Sequence, residues 1–430
     1  MKELEESVCA LDVEPLDCTY KGVPLGAGLT LGQLGDQGWN VTRGDLALPV
    51  TTLRSSALTH NIDAMASYVR RHGVLLAPHG KTTMSPQLFH RQLAAGAWAI
   101  SAATPSQVAI MRRFGVPRVL LANEMVETSA LRWVAGELAD PAFDFLCLVD
   151  SPETVALMDQ ALEGHRFARQ VDVLVEIGVE GGRTGARSER DAVATAQSVV
   201  ESRHLRLAGV EAYEGLAARG RSPADLVAVD AMLDQLRALV LELSGRGWFG
   251  DLAPVVTAGG SIFFDRVVDR LGDWSGTGVT VQLVLRSGCY ISHDAGRYHR
   301  LSPLDGARPP GEELELHDAL DAWAIVLSRP EPGLVVLGAG KRDVPYDVEL
   351  PLPQEVHRRD GAVARLPGRA VITGLMDQHA FMTVDHDLTV EAGDIVSLSL
   401  SHPCGAFEKS PLMPLIDADG TVVGGVLTFF

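Results

Sequence analysis

The feature that most constrains the fold of this chain is an alternation, from about residue 74 to residue 290, of short apolar segments with longer segments of helical periodicity. The short segments are eight candidate strands: Val74–Lys81, Trp98–Thr104, Arg118–Asn123, Phe143–Asp150, Val171–Gly178, Leu205–Tyr213, Ala253–Gly260 and Val281–Tyr290. Several helical segments begin with a hydroxyl residue and a proline, as at Thr104-Pro105, which supplies an N-cap oxygen and a first-turn residue that needs no hydrogen bond. Strands alternating with helices are typical of parallel βα units, and eight of them predict a (β/α)8 TIM-type barrel.

Two questions stay open at this level. A doubly wound open sheet has the same alternation, although no GxGxxG motif follows the early strands, which disfavours its dinucleotide-binding form. A ninth candidate strand, Leu48–Arg54, leads into the helical pattern Ser55–Arg71. Periodicity does not decide which of the nine strands lies outside the barrel.

The pattern changes after about residue 295. Short apolar runs separated by turns replace the helical periods, which is typical of an antiparallel β domain. The runs are Ala322–Leu327, Gly333–Leu337, Ala370–Leu375, Ile395–Leu400 and Val422–Phe429. The sequence therefore predicts a barrel over residues 48–295 and a mostly antiparallel β domain formed by 296–430 together with the irregular segment 1–47.

Charge and cysteine content limit the partners. Thirty-seven basic and 55 acidic residues give a net charge of −18, so we expect no nucleic-acid binding, because such a chain repels a phosphate backbone. No apolar run approaches the roughly 18 residues of a membrane span, and we expect no membrane association. The N-terminus lacks the pattern of a signal peptide, and the 5 cysteines form no CxxC pair. These features predict a cytoplasmic protein without structural disulfides.

The first candidate for chemistry is Lys81, in the segment Pro78-His79-Gly80-Lys81-Thr82 at the end of a candidate strand. In a barrel, the C-terminal ends of the strands face the active site. A lysine there can act as a nucleophile or form a Schiff base. The alternative interpretation is an ordinary surface lysine.

Two glycine-containing loops follow later strands. One loop carries Arg183, which can bind an acidic group of a ligand. The alternative interpretation of this loop is a flexible connection between a strand and a helix. The other contains Gly259, Gly260 and Ser261, whose N–H groups and hydroxyl suit a phosphate, although a plain turn has the same sequence. Tyr290, at the end of the next candidate strand, could add its hydroxyl to the same phosphate.

The last candidate pair is His402 and Cys404, two residues apart in Ser401-His402-Pro403-Cys404. On an extended segment both side chains would point to the same side. Imidazole and thiolate suit zinc, and two ligands could form half of an open catalytic site. The alternative is a strand with an incidental histidine and a buried cysteine.

Together these motifs resemble the fold-type III pyridoxal-phosphate enzymes, and within them the D-serine dehydratase and D-threonine aldolase-like group. The resemblance extends from about Leu48 to Lys409 and implies an alanine-racemase-like barrel with a β domain. It makes the lysine strand the first barrel strand, so that Leu48–Arg54 precedes the barrel. The segment after Lys81 and residues 376–380 depart from the usual pattern of the group, which puts the substrate in doubt.

The resemblance also implies roles for individual residues. Lys81 matches the lysine that holds pyridoxal 5'-phosphate as a Schiff base, and His402 and Cys404 match the metal ligands. The residues that match the phosphate-binding region are Gly259, Gly260, Ser261 and Tyr290. Arg183 and Tyr213 lie at strand ends that line the cofactor pocket of the group.

The implied function is dehydration and deamination of a β-hydroxy-D-amino acid such as D-serine, giving a keto acid and ammonia. Cys404 favours Zn²⁺, because thiolate is a soft ligand, whereas aldolases of the group tend to have aspartate there. Retro-aldol cleavage of the D-threonine aldolase type is the first alternative. A non-catalytic pyridoxal-phosphate-binding protein is the second, although such proteins lack the second domain. We expect a small amino acid as the substrate and a homodimer as the assembly.

Overall fold

The computed structural model describes residues 1–165 and 167–430 of the protein. The chain begins with helix α1, two short paired strands, a longer strand and a long helix. Their bounds are α1 Lys2–Cys9, β1 Pro15–Leu16, β2 Leu29–Thr30, β3 Val50–Arg54 and α2 Ser55–His72. Helix α2 ends at Gly73, whose φ of 64° is the left-handed conformation that suits a glycine C-cap.

Eight parallel strands follow and form one sheet in the order β4-β11-β10-β9-β8-β7-β6-β5. Their bounds are β4 Leu75–Leu76, β5 Ile100–Ala102, β6 Arg118–Glu124, β7 Asp144–Val149, β8 Val171–Ile177, β9 Leu205–Ala212, β10 Val255–Ala258 and β11 Gln282–Leu285. A β-bridge between His79 and Ser101 joins the two ends of this sheet. The Ser101 N–H also donates to the carbonyl of Pro78 at 2.9 Å. The predicted barrel is confirmed, and the open sheet is excluded.

The barrel helices include one that begins after Thr104 at the predicted Pro105. They are α3 Pro86–Ala94, α4 Pro105–Arg113, α5 Thr128–Glu137, α6 Pro152–Leu162, α7 Glu189–Glu201, α8 Pro223–Gly245 and α9 Phe264–Leu271. The Thr104 hydroxyl accepts the N–H of Gln107 at 3.3 Å, and the Ser151 hydroxyl accepts that of Thr154 at 3.2 Å. Each hydroxyl satisfies an N–H that the helix itself leaves unpaired.

The second domain contains a 10-stranded sheet whose pairs are antiparallel except for one. A short helix, α10 Arg297–Leu301, precedes it, and α11 Pro403–Phe407 lies within it. The strands after the barrel are β12 Leu320–Glu331, β13 Leu334–Leu337, β14 Leu352–His357, β15 Val363–Arg365, β16 Ala370–Leu375, β17 Ala380–Val384, β18 Ile395–Ser399, β19 Leu412–Ile416 and β20 Val422–Leu427. The predicted β domain is therefore confirmed as a fold.

The sheet pairings differ from the predicted domain boundary at residue 48. Strand β3 is antiparallel to β12 and parallel to β19, so its hydrogen bonds belong to the second sheet. The N-terminal segment is also divided. Leu31 and Leu34 pack with Trp323 on the second sheet, whereas Leu4 of α1 is buried in the barrel core. Each part of this segment therefore packs against the core that buries its leucine side chains.

In the described residues, no helix is both long enough and apolar enough to cross a membrane.

Candidate active site

A cavity of about 550 Å³ lies at the C-terminal ends of the barrel strands, between the barrel and the second domain. The barrel loops supply most of its wall, and Val348, His402 and Cys404 come from the second domain. Four cations line it, whereas Asp294 is the one acidic residue among the lining residues: the cations are Lys81, Arg183, Arg286 and Arg297. An acidic protein thus has a cavity that attracts small anions such as a phosphate or a carboxylate.

Lys81 is placed as predicted, at the C-terminal end of the first barrel strand. Strand β4 is followed by a short 3₁₀ turn, Gly80–Thr82, which turns the Lys81 side chain into the cavity. The sequence has 5 lysines, and among the described residues only Lys81 lines this cavity. It is therefore the amine available for covalent chemistry there.

The glycine loop after β10 is already bound to a carboxylate. The N–H groups of Gly259 and Gly260 donate to Glu214 at 2.9 and 2.6 Å, and Glu214 is fully buried on the turn after β9. Gly259 has a φ of +96°, which favours glycine. The sequence predicts that these N–H groups bind a phosphate, whereas in this structure they donate to the Glu214 side chain. A cofactor phosphate would displace Glu214 or bind beside it, towards Ser261, which lines the cavity.

Substitution of Gly260 is expected to weaken cofactor binding. A Cβ at this position would lie 3.0 Å from Cε2 of Tyr213 and 3.3 Å from the Glu214 carboxylate. In Gly260→Val the larger side chain pushes Tyr213 into the cavity, and we expect the dissociation constant of pyridoxal phosphate to rise about tenfold or more. Titration of the apoprotein measures it. Gly28→Val is the matched control, because Gly28 is exposed with open space around it. Equal affinities of the two variants would contradict the prediction.

Tyr290 is not where the sequence predicts. Its side chain is only 2 % exposed and packs in the barrel core, and its hydroxyl accepts a hydrogen bond from Gln92 at 2.9 Å. Among the described residues, the tyrosines that line the cavity are Tyr213 and Tyr298. The prediction that Tyr290 binds phosphate is therefore wrong in this structure. The 3₁₀ turn Cys289–Ile291 directs Tyr290 inwards, and a strand pattern in the sequence does not reveal such a turn.

Arg183 and Tyr213 do come together at the cavity. The Arg183 guanidinium lies over the Tyr213 ring at 5.1 Å from its centroid, and its Nη2 atom is 3.9 Å from Glu176. Half of the Arg183 side chain is exposed, so the guanidinium is available to a ligand. The stacked arginine and tyrosine form one wall of the cavity.

A buried polar layer lies beneath this wall. Arg286 forms a salt bridge with Glu211, and both side chains are almost fully buried. Burial raises the pKa of Glu211 to about 7. Burial and the adjacent Lys81 hold the pKa of His79 well below its ordinary value, so this imidazole is neutral. Among the described residues, neither Nδ1 of His79 nor Nη1 of Arg286 has a hydrogen-bond partner, although both residues line the cavity. Buried polar atoms of this kind normally have partners, which a ligand would supply.

His402 lies in the cavity, but not on an extended segment as predicted. Its φ of 67° is left-handed, and it is the N-cap residue of α11. Asp294 accepts its backbone N–H at 3.0 Å, and Asp347 contacts its Nδ1 atom at 2.6 Å. A carboxylate at Nδ1 orients the imidazole, and in the neutral form of the ring the lone pair that a metal can bind is then on Nε2. Asp347 gave no signal in the sequence, because it is 55 residues from His402.

Cys404 follows in the first turn of α11 and also lines the cavity. Its sulfur lies 3.8 Å from that of Cys289 and 3.4 Å from the Thr82 hydroxyl. The hydrogen bond from Cys289 holds the pKa of Cys404 well below its ordinary value. Contact with Cys404 raises the pKa of His402 to about 9. Imidazole and thiol therefore meet despite the change of backbone, because the left-handed turn at His402 redirects the chain.

A second group of possible metal ligands lies elsewhere. Among the described residues, His60, Glu315 and His317 bring ligand atoms within 4.8 Å of one another, but all three are exposed and none lines the cavity. His60 and His317 stack at 4.1 Å, which explains their proximity without an ion. His379, a further candidate in the β domain, is exposed on the turn between β16 and β17 and does not line the cavity either.

Comparison with known proteins gives consistent results. Residues 319–416 match the family described as "Putative serine dehydratase domain". The chain is 26% identical to a D-threonine aldolase of Arthrobacter sp. over 355 residues, which are 82% of this chain and 85% of the relative. The chain is therefore similar to the D-serine dehydratase and D-threonine aldolase-like fold-type III enzymes.

Solved structures with the same fold superpose along most of the chain. The D-threonine aldolase from Filomicrobium marinum has a TM-score of 0.73 at 25% identity, covering 91% of this chain and 97% of that one. The D-threo-3-hydroxyaspartate dehydratase from Delftia sp. HT23 has a TM-score of 0.68 at 21% identity, covering 89% and 98%. An alanine racemase-like protein from Idiomarina loihiensis, 16% identical, shares the fold with a TM-score of 0.68 and coverage of 88% and 96%.

The cavity fits pyridoxal phosphate, the cofactor of the fold-type III enzymes that the chain resembles. The lysine after the first barrel strand suits the aldehyde of the cofactor, and the cationic wall suits its phosphate. The two polar atoms without a partner among the described residues suit the hydrogen-bonding groups of its ring. The second domain brings an imidazole and a thiol to the same cavity, and these donors fit a zinc ion.

Proposed function

We propose that the protein is a pyridoxal-phosphate- and zinc-dependent lyase that dehydrates and deaminates a β-hydroxy-D-amino acid to a keto acid and ammonia. The observation that carries this proposal is that Lys81 of the barrel and the His402–Cys404 pair of the second domain line one cavity. An amine and a soft metal site beside one another suit a substrate with an amino group and a hydroxyl on adjacent carbons.

Bound pyridoxal phosphate would supply the electron sink that stabilises negative charge at the substrate Cα, and a zinc ion would supply Lewis acidity at the substrate hydroxyl. The residues of the chain perform the remaining tasks. The ε-amine of Lys81 takes the proton from Cα, since it stands at the position where the substrate amine must arrive. Arg183 and Arg297 on the cavity wall bind the substrate carboxylate.

His402 and Cys404 would hold the metal, and two aspartates orient His402. Asp347 fixes the tautomer of His402, and Asp294 holds its backbone N–H. One Asp294 oxygen also accepts the N–H groups of Gly296 and Tyr298, at 3.0 and 2.8 Å. A single buried carboxylate therefore connects the loop after the last barrel strand to the turn that carries His402, one of the residues that would hold the metal.

Retro-aldol cleavage is the second candidate, and it is favoured by the similarity to D-threonine aldolases. In that reaction the hydroxyl loses its proton, the Cα–Cβ bond breaks, and glycine and an aldehyde leave. Aldolases and dehydratases are both lyases, so the class of reaction is the same. The thiolate donor and the match to the serine dehydratase family support dehydration. A non-catalytic cofactor-binding role does not account for the metal donors in the cavity.

A substrate panel tests this proposal. D-serine, D-threonine and 3-hydroxy-D-aspartate, each with its L-enantiomer as control, are incubated with the purified holoenzyme and zinc. Keto acid, ammonia, aldehyde and glycine are measured separately. We expect equal amounts of keto acid and ammonia from a D-substrate and none from its enantiomer. Glycine and aldehyde in equal amounts would replace the proposal with the aldolase, and no turnover of any substrate would reject both.

A further inference from the structure

We infer that Cys289 is a third protein ligand of the metal, so that the site holds zinc with two thiolates and the His402 imidazole and keeps one open position. The inference rests on the proposed function, because it concerns the same metal. Cys289 lies in the barrel, on the 3₁₀ turn after β11, whereas His402 and Cys404 belong to the second domain. All three line the cavity.

The distance between the two sulfurs supports shared coordination. Two thiolates at the usual Zn–S bond length in a tetrahedral site are about 3.8 Å apart. The Sγ atoms of Cys289 and Cys404 are 3.8 Å apart in this structure. The spacing is too long for a disulfide, and it is the spacing that one zinc ion between the two sulfurs requires.

The surroundings also suit a pair of thiolates. The Thr82 hydroxyl lies 3.9 Å from the sulfur of Cys289 and 3.4 Å from that of Cys404, so it can donate to either thiolate. Thr82 directly follows Lys81, so the segment that carries the cavity lysine also contacts both sulfurs. Asp294, five residues after Cys289, holds the backbone of His402 at 3.0 Å. The loop that carries Cys289 is thus tied to the turn that carries His402. Within the described residues, the ligand atoms of the three donors do not all lie within 4.8 Å of one another, so joint coordination requires a side-chain movement when the metal binds.

Three protein ligands change the chemistry of the site. Two thiolates and a neutral imidazole are the ligand set of a catalytic zinc site with one position left for substrate or water. The metal can then contact a single substrate oxygen, the hydroxyl, and the carboxylate must be bound by Arg183 and Arg297. Two soft ligands also make the site strongly selective for zinc over manganese or magnesium.

The experiment counts the sulfur ligands directly. In the zinc-loaded holoenzyme, X-ray absorption at the zinc edge should fit two sulfur neighbours per zinc. In the cobalt-substituted protein, Cys289→Ser should lower the thiolate-to-cobalt absorption per cobalt to about half, and it should weaken zinc binding about tenfold or more. Cys404→Ser should have the same effect on the absorption. Cys147→Ser is the matched control, because Cys147 is fully buried in β7, away from the cavity.

The outcomes separate this inference from the proposed function. If zinc has one sulfur neighbour, or if Cys289→Ser keeps the full absorption per cobalt and the parental zinc affinity, Cys289 is not a ligand, while a zinc-dependent lyase with His402 and Cys404 still stands. A Cys289–Cys404 disulfide in the active holoenzyme, found by thiol counting, also overturns the inference. A holoenzyme that releases keto acid but binds no zinc overturns the metal part of the proposed function together with this inference.

Discussion

Lys81→Ala is expected to abolish the near-ultraviolet and visible absorption of the lysine-bound cofactor and to lower turnover about a thousandfold or more. Within the described part of the chain, Lys81 is the only lysine that lines the cavity. It lies on the 3₁₀ turn that comes after the first barrel strand. Its loss removes both the amine that binds the cofactor covalently and the base at the substrate Cα, and a well-placed general base alone contributes about 10²- to 10⁴-fold. Absorption spectra and keto acid release measure the two effects separately.

The control for this prediction is Lys2→Ala, because Lys2 is an exposed lysine whose nearest charged partner is Glu6 at 3.6 Å. Borohydride reduction of the parent followed by peptide mapping should place the cofactor on the peptide that contains Lys81. A labelled peptide containing Lys341 or Lys409, or an unchanged absorption band in Lys81→Ala, would show that another lysine binds the cofactor.

Removal of the metal is expected to separate catalysis from cofactor binding. Chelation, or the substitution His402→Ala, should lower keto acid release about a hundredfold or more, because the metal supplies several kcal/mol of stabilisation to the charge on the departing oxygen. The cofactor absorption should persist, since Lys81 comes from the barrel and His402 from the second domain. Added zinc should restore the chelated enzyme but not His402→Ala.

His379→Ala is the matched control for His402→Ala, because His379 is an exposed histidine of the same domain that does not line the cavity. Full activity after exhaustive chelation would refute a metal-dependent mechanism and leave the fold and the lysine assignment intact. Cys404→Asp extends the test. A harder ligand should weaken zinc binding. Glycine and aldehyde are then measured with this variant after manganese is added.

The local rules of sequence, together with the family resemblance, were sufficient to predict the barrel and the position of Lys81. Eight apolar segments, each separated by a helical period, leave few other folds, and a hydroxyl residue before proline marks helix starts such as that of α4. A polar loop after the first strand must lie at the C-terminal face of the barrel, so the position of Lys81 follows from the pattern. The same reasoning placed Gly260 and Ser261 beside the cavity.

The sequence predictions differ from the structure where the position of a residue depends on a partner that is far away along the chain. The direction of Tyr290 is set by the turn after β11 and by Gln92, which is 198 residues away in the chain. The predicted domain boundary at residue 48 places β3 in the first domain, ahead of the barrel strands, but the hydrogen bonds of β3 are with β12 and β19 of the second sheet. No pattern within a short window contains these partners.

By itself, then, the sequence determined the eightfold alternation, the lysine at the first strand end and the presence of a histidine and a cysteine with the chemistry of a zinc site. The tertiary structure alone decided which groups surround them. It turns His402 into a left-handed conformation against Asp347, places Glu214 on the glycine amides, and brings Cys289 to 3.8 Å from Cys404. The physical reason is that hydrogen bonding and burial in a closed barrel act between residues that are close in space, whereas sequence periodicity reports only the neighbours along the chain.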